Sequence, residues 1–114
     1  MTIELWGATT MRTFRPVWLA EELSLDYKLH PVGPRTGETQ TGWFTTLTPK
    51  QKVPVLQYNG MNLTESLAIC RYIAAKWGKG VIWQPETIEE RAIEDEWCCY
   101  IYGELDETSL YVMR

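Results

Sequence analysis

The stretch VPVLQYNGMNLTESLAICRYIAAKW, residues 53–77, carries two patterns back to back. VPVLQY reads as a strand. Asn59-Gly60 is a hairpin signal, because tight two-residue turns need positive φ at both positions. MNLT then returns as the partner strand. From Glu65 the pattern becomes helical: Leu67, Cys70, Ile73, Ala74 and Trp77 recur at spacings of three and four and form one apolar face. Gly78 ends that helix. Thr64 is placed to cap it, and Glu65 in the first turn complements the helix dipole.

Upstream, TIELWG alternates Ile3 and Leu5 against Thr2 and Glu4, a strand pattern closed by Gly7. In ATTMRTFRPVWLAEEL a proline is tolerated only in a helix's first turn. The helix therefore begins near Met11 to Thr13, runs to about Leu23, and leaves Thr9 and Thr10 in the preceding loop. DYKLHPV is a second strand, with Tyr27, Leu29 and Pro31 on one face. The polar, turn-rich segment 33–49 admits a short irregular helix around Glu38 to Thr46. Downstream, GKGVIWQPE is a linker, and Thr87 with Glu90 three residues later makes a capping box. Ile88, Ala92, Ile93, Trp97, Tyr100, Ile101 and Leu105 continue an apolar stripe almost to Arg114. The expected class is α/β: a four-stranded sheet sandwiched between helices. The expected division is a domain over 1–79, a linker over 80–87, and over 88–114 the first helix of a second, all-α domain. A helix that long cannot bury its apolar face alone, so the chain is expected to end inside that second domain.

Among the 114 residues, 45% are hydrophobic and 23% charged, the balance of a soluble globular protein. A net charge of -4 with scattered Lys and Arg argues against nucleic acid as a partner. The longest apolar run, SLAICRYIAA, is interrupted by Arg71 and too short to cross a bilayer. MTIELWG lacks the basic-then-apolar order of a signal peptide, so no membrane contact and a cytoplasmic location are the default. Cys70, Cys98 and Cys99 show no C-x-x-C spacing, which argues against a disulfide framework, a zinc site and dithiol redox chemistry. No metal site is expected. Cys70 falls on an apolar helix face and reads as core. The single histidine, His30 beside Pro31, reads as a solvated loop or strand-end residue, so a Ser-His or Cys-His hydrolase has little to build on.

Two features carry chemistry, each with a plain structural alternative. Glu65 and Ser66 at a helix start are ordinary entry residues; they are also suited to an amino-acid head group. The helix N-terminus offers unpaired N–H donors and partial positive charge to a carboxylate, and Glu65 would accept from the adjacent ammonium. Pro54 either opens a strand in the usual trans form or, in cis, turns the Val53 backbone toward an extended ligand.

TPKQKVPVL, a hairpin, then LTESLAICRYIA resembles a segment of the glutathione transferases. RPVWLAEELSLDYKLHPV is similar to that family's first helix and second strand. GETQTGWFTTLTP and ERAIEDEWCCYIYGEL are similar to its next segment and to the first helix of its second domain. The resemblance implies a thioredoxin-like domain, glutathione as cosubstrate, and conjugation of its sulfur to an apolar electrophile. Alternatives are a glutathione-dependent disulfide reductase and a non-catalytic binding or assembly module. It implies that Pro54 is cis, that Val53 bonds the cysteinyl backbone of glutathione, and that Glu65 and Ser66 hold its γ-glutamyl end. Gln40 and Lys52 fall where the family contacts the glycine carboxylate. Thr10 falls where relatives place a thiolate-stabilising Ser or Cys, with Thr9 as competitor and Arg12 adding positive potential. Trp6 has no hydroxyl, so a tyrosine-based site is excluded. The family habit is a homodimer, with the aromatics between Trp97 and Tyr111 near the electrophile pocket.

Overall fold

The computed structural model describes residues 2–7, 10–33 and 36–112. Strand β1 (Ile3–Trp6), helix α1 (Met11–Glu22) and strand β2 (Tyr27–His30) make a parallel βαβ unit, with Leu5 opposite Leu29 and Trp6 opposite His30. A 3-10 turn (Glu38–Gln40) and helix α2 (Gly42–Leu47) follow, where one short irregular helix was expected. Strands β3 (Val55–Tyr58) and β4 (Met61–Thr64) form the hairpin, with φ of 50° at Asn59 and 80° at Gly60. Helix α3 (Ser66–Trp77) closes the unit. The sheet order is β2-β1-β3-β4, with β3 antiparallel to both neighbours. This is the thioredoxin-like βαβ-α-ββα arrangement.

Successive strand side chains face opposite sides of a sheet, so neighbouring residues enter different cores. Ile3, Leu5 and Leu56 join Ile69 and Ile73 of α3 on one side, flanked by Val17 and Leu19 of α1. Val55 points the other way and packs with Val32 and Phe44, against Trp6, Leu47 and Val53. The buried face of α3 is Ser66, Ile69 and Ile73 rather than the stripe centred on Leu67, Cys70 and Trp77. Those residues are half-buried flanks. Counting apolar residues alone misplaces the face, because a serine begins it.

Helix α1 starts at Met11, within the expected range, but Pro16 is buried in its second turn rather than its first. His30 is the last residue of β2, a strand-end residue as expected, but its side chain is engaged rather than solvated. Its ring stacks on Trp6 at a centroid distance of 3.8 Å, and Nε2 lies 2.9 Å from Glu4 Oε1. Trp6 Nε1 donates to Gln57 Oε1 at 3.0 Å, which commits this tryptophan to the face under α2.

Burial pushes the Cys70 thiol up to about 11, with Arg15 opposing the shift. Because the unfolded chain releases this proton near 9 and the folded chain only near 11, stability falls as pH rises through that window. Thiolate is the reacting form. Alkylation at about pH 8, read by peptide mass spectrometry, is therefore expected to label the exposed Cys99 about tenfold or more ahead of Cys70.

The chain divides into two compact units, Met1–Ile82 and Trp83–Arg114. In the second, helix α4 (Ile88–Tyr100) runs through a π-helical segment (Ile101–Asp106) into α5 (Glu107–Val112). Thr87 Oγ1 accepts from the Glu90 N–H at 3.0 Å, half of the expected capping box. The other half is displaced, since Glu90 Oε2 accepts from the Glu86 N–H at 2.9 Å rather than from Thr87. The π segment was not expected. Ile88, Ile93, Trp97, Tyr100, Ile101 and Leu105 are all exposed. Among the described residues no helix is long and apolar enough to cross a membrane.

Candidate functional site

Strand directions gather the candidate residues at one edge of the sheet. β1 and β2 end there, β3 begins there, and β4 ends there. Thr10 follows β1, Gln40 follows β2, Val53 and Pro54 precede β3, and Glu65 and Ser66 follow β4. The register that pairs Val55 with Thr64 sets Val53-Pro54 beside Glu65-Ser66. Helices α1 and α3 both present their N-termini at this edge, so its backbone potential is positive although the chain as a whole is acidic. The Val53-Pro54 peptide bond is cis.

The start of α3 differs from the expected cap. Thr64 belongs to β4, whose pairing with Val55 holds it extended, and the N-cap is Glu65. Glu65 has φ 73° and ψ 116° and makes no side-chain cap hydrogen bond. A non-glycine residue held there costs of order 1–3 kcal/mol and marks a place where the surroundings dictate the backbone. Ser66 is 1% exposed, and its Oγ has no hydrogen-bond partner among the described residues. A buried hydroxyl left in that state costs about 1–3 kcal/mol. An uncapped helix start with an unsatisfied hydroxyl beside a carboxylate is complementary to a small zwitterion.

Lys50 also reaches this corner. Its Nζ donates to Thr64 Oγ1 at 3.1 Å and lies 3.4 Å from Glu65 Oε2. Lys52 and Gln40 are exposed. Lys50 was not singled out from the sequence, where Lys52 alone of TPKQK was assigned, to the glycine carboxylate. Gln51 between the two lysines takes φ 56°.

At the other end of the edge, Thr10 is the N-cap of α1. Its Oγ1 accepts from the Thr13 N–H at 3.1 Å and donates to Thr13 Oγ1 at 3.0 Å. Thr13, 3% exposed, was not singled out from sequence; the signal for it is its place three residues after a capping hydroxyl. Thr9 lies outside the described residues. Arg12 is half-buried in the first turn of α1. Beside Thr10 opens a cleft of about 570 Å³, lined by Met11, Phe14, Val17, Trp18 and Leu29 together with Gly7, Thr13 and Arg15. Its walls are mostly apolar and suit an apolar guest.

Fold and edge together define a thioredoxin-like domain built around a cis-proline. The chain belongs to the glutathione S-transferase family: that family's N-terminal domain matches residues 1–75. It is 29% identical over 111 residues to glutathione S-transferase theta-1 of Rattus norvegicus, covering 96% of this chain and 46% of that protein. Its backbone is similar to the theta class glutathione S-transferase of Xanthomonas axonopodis pv. citri with glutathione bound. There the TM-score is 0.81 at 32% identity, over 90% of this chain and 49% of the other. A diazinon-metabolizing glutathione S-transferase of the silkworm Bombyx mori gives a TM-score of 0.87 at 27% identity, over 100% of this chain and 57% of that one. The chain thus spans about half the length of the relatives it matches.

Proposed function

We propose that the protein is a glutathione transferase whose first unit binds glutathione along the sheet edge and stabilises its thiolate for attack on an apolar electrophile. The observation that carries this reading is the α3 corner: an uncapped helix start, a buried unpartnered Ser66 hydroxyl and a carboxylate at Glu65. The γ-glutamyl carboxylate would take the Ser66 N–H and hydroxyl, and its ammonium would take Glu65. Val53, ahead of the cis-proline, would pair with the cysteinyl backbone. Gln40 and Lys52 stand as contacts for the glycine carboxylate at the outer end. The sulfur would then lie toward the start of α1, next to the apolar cleft. In the reaction the sulfur lone pair forms a carbon–sulfur bond, and the leaving group departs with the electron pair of the broken bond. In this reading the helical unit from Trp83 is the first helix of an all-α second domain. A homodimer in the cytoplasm is part of the same reading.

Thr10 is the proposed thiolate donor, with Arg12 adding positive potential from the first turn. A hydroxyl has one proton, and that of Thr10 points to Thr13. If Thr13 donates instead, the Thr10 proton is released toward the sulfur while Thr10 Oγ1 still caps the helix. A second reading, a module that holds glutathione without activating it, draws on this same bond, in which the Thr10 proton is already engaged. Thiolate absorbance of bound glutathione separates the two. The transferase reading expects wild type to raise the thiolate fraction at neutral pH, and Thr10→Val to lower it about tenfold, the worth of one hydrogen bond to a charged group. Affinity should stay within about twofold. Glutathione bound with no gain in thiolate would leave only the binding module.

A further inference from the structure

The α3 corner holds a cation that neither the sequence nor the family reading assigns. Lys50 Nζ bonds Thr64 Oγ1 at 3.1 Å and approaches Glu65 Oε2 at 3.4 Å, so it sits against the two residues that lead into Ser66. Both partners of the ion pair are about half exposed, and such a pair adds little to folding. Its position matters more than its strength. A lone carboxylate beside a zwitterionic head attracts the ammonium and repels the neighbouring carboxylate. The α3 N-terminus offsets that repulsion with only about half a charge. Lys50 brings a full charge to the same corner, with three donors, of which Thr64 and Glu65 engage two.

We propose that Lys50 is a specificity-determining residue of the γ-glutamyl subsite, balancing Glu65 so that the corner selects a head group carrying both an ammonium and an α-carboxylate over a simple amine. The inference rests on the glutathione reading above. Titration calorimetry at low salt tests it with two ligands: glutathione, and γ-aminobutyryl-cysteinyl-glycine, which keeps the amine and lacks the α-carboxylate. Lys50→Met keeps the stem and removes the charge. It is expected to weaken glutathione about fivefold, the scale of one exposed ion pair, while leaving the analogue within about twofold. Lys50→Arg restores glutathione affinity, and the loss in Lys50→Met shrinks at high salt as screening grows. Equal weakening of both ligands, or unchanged glutathione affinity in Lys50→Met, overturns the proposal while the glutathione reading stands. Wild-type protein that binds neither ligand overturns both.

Discussion

Glu65→Ala is expected to weaken glutathione binding about 30-fold, about 2 kcal/mol, the loss of one hydrogen-bonded charge partner at a half-exposed site. The same position should invert the usual order of substitutions. Alanine normally stabilises a helix relative to glycine by roughly 0.5–1 kcal/mol. At φ 73° and ψ 116° an alanine keeps the strain that glutamate bears, whereas glycine adopts that backbone freely. Glu65→Gly should therefore unfold later than Glu65→Ala by about 1 kcal/mol, while both bind glutathione equally poorly. Thermal melts and calorimetry on the two variants read these effects separately. If alanine proved the more stable, the backbone at Glu65 would not be held against its own preference. If glutathione affinity survived in both, the γ-glutamyl subsite would lie elsewhere.

How far the sequence reveals this site depends on how local each cause is. The hairpin was legible because Asn59-Gly60 must satisfy its own backbone, and both residues do take positive φ. The bounds of α1 were legible because Pro16 confines its start to the few residues ahead of it, although the proline itself lies in the second turn rather than the first. The cap of α3 was not. Thr64 has the right side chain, but its pairing with Val55 keeps it in the strand and hands the cap to Glu65. A ladder between residues nine apart outweighed a local propensity. The place of Lys50 was hidden for a related reason, since its partners Thr64 and Glu65 lie 14 and 15 residues further along the chain. His30 looked solvated because its two partners, Trp6 and Glu4, are more than twenty residues away. The π segment at Ile101–Asp106 left one faint trace, Gly103 inside an otherwise helical run. The cis Val53-Pro54 bond came from the resemblance, because residue statistics alone favour trans.

Gly7→Ala is expected to cost about 3 kcal/mol and to damage the start of α1 together with the fold. Gly7 follows β1 with φ +152°, and its N–H donates to the His30 carbonyl at 2.9 Å. A Cβ placed there would lie 2.6 Å from Thr13 Oγ1 and 2.9 Å from Thr13 Cγ2. Thr13 is buried and cannot swing away, because its hydroxyl and its N–H both bond Thr10 Oγ1. Overpacking of this kind costs roughly 1–3 kcal/mol, and the strained backbone adds of order 1–3 kcal/mol more. For a unit of this size the sum corresponds to a melting temperature lower by about 15 °C. The coupling to the site is the sharper expectation. Any relief requires Thr13 to move, and Thr13 carries the Thr10 hydroxyl with it. Gly7→Ala should thus lower the thiolate fraction of bound glutathione even at temperatures where the protein remains folded. Thr13→Ala in the same background removes both atoms nearest the new methyl, so the double variant should recover much of the lost stability. Recovery of stability without recovery of the thiolate would separate the packing role of Thr13 from its hydrogen bond to Thr10. No recovery of stability at all would mean that the cost at Gly7 lies in the backbone rather than in the contact.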